Sequence, residues 1–197
     1  MATYKEIKGT NIEAVATDPT YPNTGQVWYN TTSNVLKGAT GTPTVSWSTT
    51  NPMNTGRYGM GSAGAQTSAL GFGGNGPSTQ TAVTESWNGT NWTEVNDLNE
   101  ARHYCAGAGV SNTSALAFGG NVAPQTANTE SWNGSNWTEV NNLNEVKELL
   151  GGSGTQTSAL AYGGAAPGDI NKTSTEVWNG TNWTEVNNLN TGRNGLS

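Results

Sequence analysis

The ten residues Ser86-Trp87-Asn88-Gly89-Thr90-Asn91-Trp92-Thr93-Glu94-Val95 decide the fold, because they return with few changes as residues 131–140 and 177–186. The second tryptophan of each copy is Trp92, Trp137 or Trp183, and Trp47 in Ser46-Trp47-Ser48 is in phase, giving spacings of 45, 45 and 46 residues. Asn88-Gly89 is a strong hairpin signal because both residues accept positive φ, so residues 84–87 and 92–95 read as two strands around a tight turn. Upstream of each pair lies Thr67-Ser68-Ala69-Leu70-Gly71-Phe72-Gly73-Gly74, or its counterparts at 113–120 and 157–164. There Leu70 and Phe72 alternate with small residues at the period of a strand. Downstream comes Asn-x-Leu-Asn and then a basic residue ten positions after its Trp: Arg57, Arg102, Lys147 or Arg193. Aligning on that residue stacks Met60, Cys105, Leu150 and Leu196, followed by the small-residue tracks 61–64, 106–109 and 151–154. An innermost strand crowded round an axis needs such a track. Residues 143–150 favour a helix by propensity, but the repeat register makes them a loop leading to an inner strand. Four-stranded units of this length cannot bury their faces alone and stack radially, which predicts an all-β chain and a β-propeller of four-stranded blades.

Composition narrows the function. Of 197 residues only 32% are hydrophobic and 11% charged, yet eight Trp and six Tyr set the chain apart from disordered acidic sequences. The 27 Gly follow no three-residue period, so collagen is excluded. No apolar run is long enough for a membrane helix, and residues 1–10 lack the basic-then-apolar order of a signal peptide, which predicts a product made in the cytoplasm. A net charge of −6 with eight scattered basic residues argues against nucleic acid. Cys105 is the single cysteine and His103 the single histidine, so neither a disulfide nor a Cys/His zinc site is expected. No cofactor and no metal are anticipated.

The order Gly73-Gly74, Glu85, Trp87, Trp92, Arg102 resembles the kelch repeat: a diglycine, a Glu before an aromatic, a Trp and an Arg. It repeats as Gly119-Gly120, Glu130, Trp132, Trp137, Lys147 and as Gly163-Gly164, Glu176, Trp178, Trp183, Arg193, so the resemblance covers residues 57–197. Trp stands where kelch usually has Tyr, and the Trp-Asn-Gly-Thr-Asn-Trp hairpin is tighter than usual, which marks a divergent branch. The N-terminal portion, with Asp18-Pro19, Pro22, residues 25–32, Leu36-Lys37 and Trp47, resembles a hairpin module of bacteriophage tail and fibre proteins. The combination is similar to structural proteins of phages that infect marine cyanobacteria. These resemblances imply a non-enzymatic virion component, a fibre, tail-appendage or capsid-decoration protein. Residues 1–24 would be an attachment arm to other virion proteins, and a propeller head at 25–197 would be able to recognise a host surface glycan. A lectin-like propeller or a bacterial protein-interaction scaffold is the alternative.

Three copies leave two raw sheet edges, which invite aggregation. With repeats at 57–101, 102–146 and 147–192, residues 25–50 together with 193–197 are expected to form a fourth blade shared by the two ends. An arc completed by a second chain, forming a homo-oligomer, or a piece of a longer array are the other solutions.

Glu85, Glu130 and Glu176 each precede a basic residue by 17 positions, and the kelch resemblance implies a Glu–Arg pair tying neighbouring blades. A residue identical in every blade builds the fold, whereas a catalytic site breaks the symmetry. Glu94, Glu139 and Glu185 read as solvated guards on the outermost strand. Gly71-x-Gly73-x-x-Gly76 and Gly59-x-Gly61-x-x-Gly64 match a dinucleotide fingerprint but lack its strand-to-helix context. His103 aligns with Tyr58, Glu148 and Asn194 as a variable surface position, and Cys105 reads as a small buried apolar residue. What varies between repeats is the loop after the diglycine, and variable loops of a repeat array often form its functional face. The candidate ligand-binding residues are therefore Asn75, Pro77 and Gln80; Asn121, Pro124 and Gln125; and Pro167, Asp169, Asn171 and Lys172.

Overall fold

A computed structural model describes residues 12–20, 26–38, 49–168 and 170–196; these are all-β, with no helix among them. The chain forms two compact units, 1–49 and 50–197.

In the first unit, β1 (Glu13–Val15), β2 (Val27–Asn30) and β3 (Val35–Gly38) form one sheet in the order β1-β2-β3. The β2–β3 hairpin is antiparallel as expected, whereas β1 lies parallel to β2. Trp28 and Asn30 alternate onto the buried face of β2. There Asp18 accepts from Trp28 Nε1 at 3.0 Å, Asn30 Nδ2 at 2.7 Å and Lys37 Nζ at 2.6 Å. Those bonds, the one from Lys37 foremost, hold the Asp18 carboxyl down at about 2. Among the described residues, β2 is paired on both edges and residues 193–196 form no strand; the rest of the closing blade expected from 25–50 with 193–197 lies partly outside the described residues. The unit boundary falls after Thr49 rather than at 24, because β1 and β3 both belong to the sheet of β2. The expected third strand at 44–49 lies almost wholly outside the described residues.

The second unit holds three four-stranded antiparallel sheets in a propeller-like arrangement. The first sheet is β4 (Gly61–Ala65), β5 (Ser68–Phe72), β6 (Thr84–Trp87) and β7 (Trp92–Val95). The second is β8 (Ala106–Ser111), β9 (Ser114–Phe118), β10 (Thr129–Trp132) and β11 (Trp137–Val140). The third is β12 (Gly151–Thr155), β13 (Ser158–Tyr162), β16 (Thr175–Trp178) and β17 (Trp183–Val186). Between its second and third strands a small hairpin, β14 (Ala165–Ala166) and β15 (Ile170–Asn171), fills the loop. Residues 143–150 are not helical, as the register required.

Each outer hairpin is held by one side chain. Asn88 Oδ1 accepts from the N–H groups of Thr90 and Asn91, both at 2.9 Å, and Asn133 and Asn179 do the same in their sheets. The small-residue track answers to crowding of the first strands, where β4 packs on β8 and β8 on β12. A Cβ on Gly107 would lie 2.2 Å from the Ser62 carbonyl oxygen, and one on Gly152 2.6 Å from that of Gly107.

The apolar core lies in the seams between sheets. Leu70, Phe72, Leu98 and Cys105 pack against Ala115, Ala117, Trp132 and Trp137. One repeat later, Leu116, Phe118, Leu143 and Leu150 pack against Ala159, Ala161, Trp178 and Trp183. The joints are copies: Phe72 meets Trp137 edge-on at 5.0 Å and Phe118 meets Trp183 at 4.9 Å. Trp137 Nε1 donates to Thr84 Oγ1, and Trp183 Nε1 to Thr129 Oγ1, both at 3.1 Å. At about 150–250 Å² per aromatic side chain, these rings are the main apolar contribution in a chain with so few large hydrophobics.

Candidate functional site

The repeated carboxylates belong to buried grips between a linker and the sheet that follows it. Glu85 pairs with Arg57 at 2.8 Å, Glu130 with Arg102 at 2.5 Å and Glu176 with Lys147 at 3.1 Å, and no side chain among the six is more than 2% exposed. This corrects the expected pairing: each Glu binds the basic residue that precedes its own sheet, not the one 17 positions later. The linker itself explains the choice. Arg102 gives its backbone to the preceding sheet, with its N–H donating to Thr81 and its carbonyl accepting from Gly74. Its guanidinium turns the other way, to Glu130 and to the carbonyls of Gly119 and Asn128. The residue does tie two sheets, by different atoms.

An asparagine that the sequence reading passed over completes each grip. Asn54, Asn99 and Asn144 each donate a backbone N–H and Nδ2 to the Glu Oε2 at 2.7–2.9 Å, and Nδ2 also reaches the carbonyl of Trp92, Trp137 or Trp183. Three residues earlier, Asn51, Asn96 and Asn141 clasp the turn of the hairpin through its Thr90, Ser135 or Thr181 carbonyl and its last Asn. The repeated Asn-x-Leu-Asn or Asn-x-Met-Asn was the available signal. Arg193 and its companions Asn187 and Asn190 are exposed; the Arg193 backbone bonds Lys172 and Gly164, while its guanidinium reaches, among the described residues, only the Thr191 carbonyl, at 3.5 Å.

The diglycines sit where the linker of the next repeat crosses. Gly119 has φ +65°, and a Cβ there would lie 2.7 Å from the Lys147 carbonyl oxygen. Just beyond, the three candidate loops leave the same end of their sheets and differ from one another. Asn75 bridges both Tyr58 and Gln80, with Pro77 exposed. Asn121 bridges both His103 and Gln125, with Pro124 exposed. In the third, Pro167 and Asn171 are exposed on the β14–β15 hairpin, while Lys172 forms an ion pair with Glu145. Burial pushes Glu145 up, but hydrogen bonds from Lys172 and Ser174 outweigh it and hold the carboxyl below its usual range. Asp169 lies outside the described residues.

The second and third repeats join at this end. Glu148, 7% exposed, accepts from Asn121 Nδ2 at 3.0 Å and Gln125 Nε2 at 2.8 Å. His103 is half-buried, lies against Tyr104 with ring centroids 4.5 Å apart and planes tilted by 57°, and has no hydrogen-bond partner for Nδ1 among the described residues. Tyr58 is 62% exposed on the same rim. Inside the rim, Gly59-Met60, Tyr104-Cys105, Leu149-Leu150 and Gly195-Leu196 line an apolar cavity of about 250 Å³. Its wall is a ladder of left-handed residues, Gly59, Tyr104, Leu149 and Gly195, at φ 54–65°. Each N–H donates to the carbonyl of the one before it: Tyr104 to Gly59, Leu149 to Tyr104, Gly195 to Leu149. Cys105 is buried as expected, and burial pushes its thiol up to about 11. A second cavity, of about 460 Å³, is lined by small residues of β4, β8 and β12 together with Gln66 and Ala69.

The geometry divides the residues into two sets. Glu85, Glu130 and Glu176 with their asparagines are consumed in the grips, whereas Glu94, Glu139 and Glu185 on the outermost strands are exposed; the positions that differ between repeats lie at the loop end, beside one apolar well. A scan against protein-family models finds no match to the chain, and a search of curated proteins finds none either.

Proposed function

We propose that the chain is a non-enzymatic structural protein of a bacteriophage particle, in which the propeller-like array presents three unlike loops for recognition of a host surface glycan. One observation carries this reading: loops built on identical scaffolds at the same end of their sheets take three different conformations. The N-terminal residues that resemble a phage tail and fibre module support the particle assignment, with the unit at residues 1–49 as the attachment part to other virion proteins. The sheets serve as blades of a propeller ring, and the shared grips keep the loop end rigid while its side chains vary.

A lectin-like role without a virion is the second reading, favoured by the exposed Tyr58 ring on the segment whose backbone bridges Asn75. Stacking of an aromatic face on a sugar is the chemistry this ring offers. The two readings separate by experiment. Mass spectrometry of purified particles should find the chain as a stoichiometric component, and its absence refutes the virion assignment. Glycan-array binding by the native chain that is lost in Tyr58→Ala supports recognition at the rim, and silence of the native chain on bacterial surface glycans refutes it.

A further inference from the structure

We propose that two copies of residues 50–197 join head to tail, the third sheet of each against the first sheet of the other, closing a ring of six sheets. Each end of the array is half of a joint that the chain already makes twice. On the third sheet, Leu160 and Tyr162 are half-buried, whereas their counterparts Leu70, Phe72, Leu116 and Phe118 are 0% exposed in the seams. On the first sheet, Trp92 and Ala69 are half-buried, whereas Trp137, Trp183 and Ala159 are 5% exposed and Ala115 0%. The missing cover of one face has the residue types of the other: a ring at Tyr162 for Trp92, and Thr175 Oγ1 as acceptor for the Trp92 Nε1.

The tail supplies the third part of the joint. Residues 190–196, Asn-Thr-Gly-Arg-Asn-Gly-Leu, match residues 54–60, Asn-Thr-Gly-Arg-Tyr-Gly-Met, at five of seven positions. Residues 54–60 are the segment whose Asn54 and Arg57 grip Glu85. The tail is already seated on its own third sheet as an internal linker would be: Leu189 donates to Thr173, Arg193 donates to Lys172 and accepts from Gly164. Only its outward side chains, Asn187, Asn190 and Arg193, bond no other segment among the described residues, Arg193 Nε reaching the Thr191 carbonyl of the tail itself. In the dimer it takes Glu85 of the partner in place of the partner's own residues 51–60. Exchanging one Asn-Thr-Gly-Arg grip for an identical one is close to neutral, so the net gain comes from the newly buried Trp92, Tyr162 and Leu160 faces. The contact is heterologous, and two arcs of three sheets closing on each other leave no sheet end exposed; six blades also lie within the usual range for propellers. The proposal concerns assembly alone and stands apart from what the loops bind.

Native mass spectrometry and light scattering of the full chain at tens of micromolar should give twice the chain mass. A monomer, or a ladder of larger species without a dominant dimer, overturns the ring. Ala69→Glu places a charge in the first-sheet face and Tyr162→Glu in the third-sheet face; each alone should weaken association at least tenfold while keeping the β-sheet circular dichroism. Mixed together, they should regain a paired species through the two unmodified faces, and failure to do so overturns the head-to-tail arrangement. Arg193→Glu, at an exposed position where folding is not at stake, should weaken the dimer as well. A dimer of unchanged affinity in that variant overturns the tail exchange.

Discussion

Replacing Glu130 with Ala tests the grip where it is most complete. The substitution removes the carboxylate that lies 2.5 Å from Arg102 Nη2 and that accepts two bonds from Asn99, both at 2.8 Å. Arg102 and Glu130 are each 1% exposed, so water cannot replace what is lost. An uncompensated buried charge costs about 3–5 kcal/mol, and the orphaned Asn99 N–H falls within that figure. For a unit of this size each kcal/mol moves the melting temperature by roughly 2–4 °C, so a fall of roughly 6–20 °C is expected in calorimetry. Arg193→Ala, measured at a concentration low enough to hold the chain monomeric, should stay within about 0.5 kcal/mol of the native chain. Replacing the pair together, Arg102→Met with Glu130→Leu, should recover most of the loss, since apolar residues of similar volume substitute for buried ion pairs at little cost. A Glu130→Ala variant that melts within about 1 kcal/mol of the native chain, as an exposed pair does, would refute the claim that these carboxylates hold the sheets.

Trp132→Ala should cost about 3–5 kcal/mol in urea unfolding, because the ring is 1% exposed in a seam and its Nε1 donates to the Asn112 carbonyl. Gly119→Ala should destabilise by roughly 1–3 kcal/mol, through both the left-handed backbone and the collision with the Lys147 carbonyl, whereas Gly168→Ala, with nothing within 4 Å of its Cβ, should cost less in the same melts. Cys105, buried and with its thiol raised to about 11, should resist iodoacetamide at pH 8 in the native chain and react on unfolding; alkylation at the rate of a free thiol would contradict its burial. Asp18 has its folded pKa lowered to about 2, so its contribution is full above the unfolded carboxylate value of about 3.9 and is lost as pH falls towards 2. The Trp28 indole N–H resonance of the full chain, which donates to Asp18, should follow that loss, and Asp18→Asn should flatten the acid transition.

Much of the fold was legible because the repeat carries its own alignment. Asn88-Gly89 placed the outer hairpin, the Leu70/Phe72 alternation placed the second strand, and the small track at 106–109 placed the first. The pairing of Glu130 was not legible from spacing, since a basic residue lies on either side of it; the decision rests on the path of the linker, whose backbone and side chain face opposite sheets. The left-handed residues Tyr104 and Leu149 are conformations that side chains resist, and the only hint was that Gly59 and Gly195 stand at the aligned positions. β1 has three residues and a parallel partner, too short for periodicity to register. At the candidate site, the loop positions were visible as variation, but Glu148 as the clamp between two repeats was not, because the residues it binds belong to the repeat before.

The direction of the grips has a consequence for synthesis. Asn54 and Arg57 leave the ribosome before the sheet they hold, as do Asn99 and Arg102 before the second sheet and Asn144 and Lys147 before the third. Each new sheet therefore meets a finished receptor on the nascent chain, and its tryptophan seats against a face already folded behind it. Repeats of about 45 residues that contact only their neighbours suit such a vectorial order, since N-terminal parts fold first as the chain emerges. Residues 187–193 repeat the receptor once more after the third sheet, with Asn187, Asn190 and Arg193 in the places of Asn51, Asn54 and Arg57. In the proposed ring that receptor serves the first sheet of a second copy, and polysomes, which hold many nascent copies close together, favour the encounter.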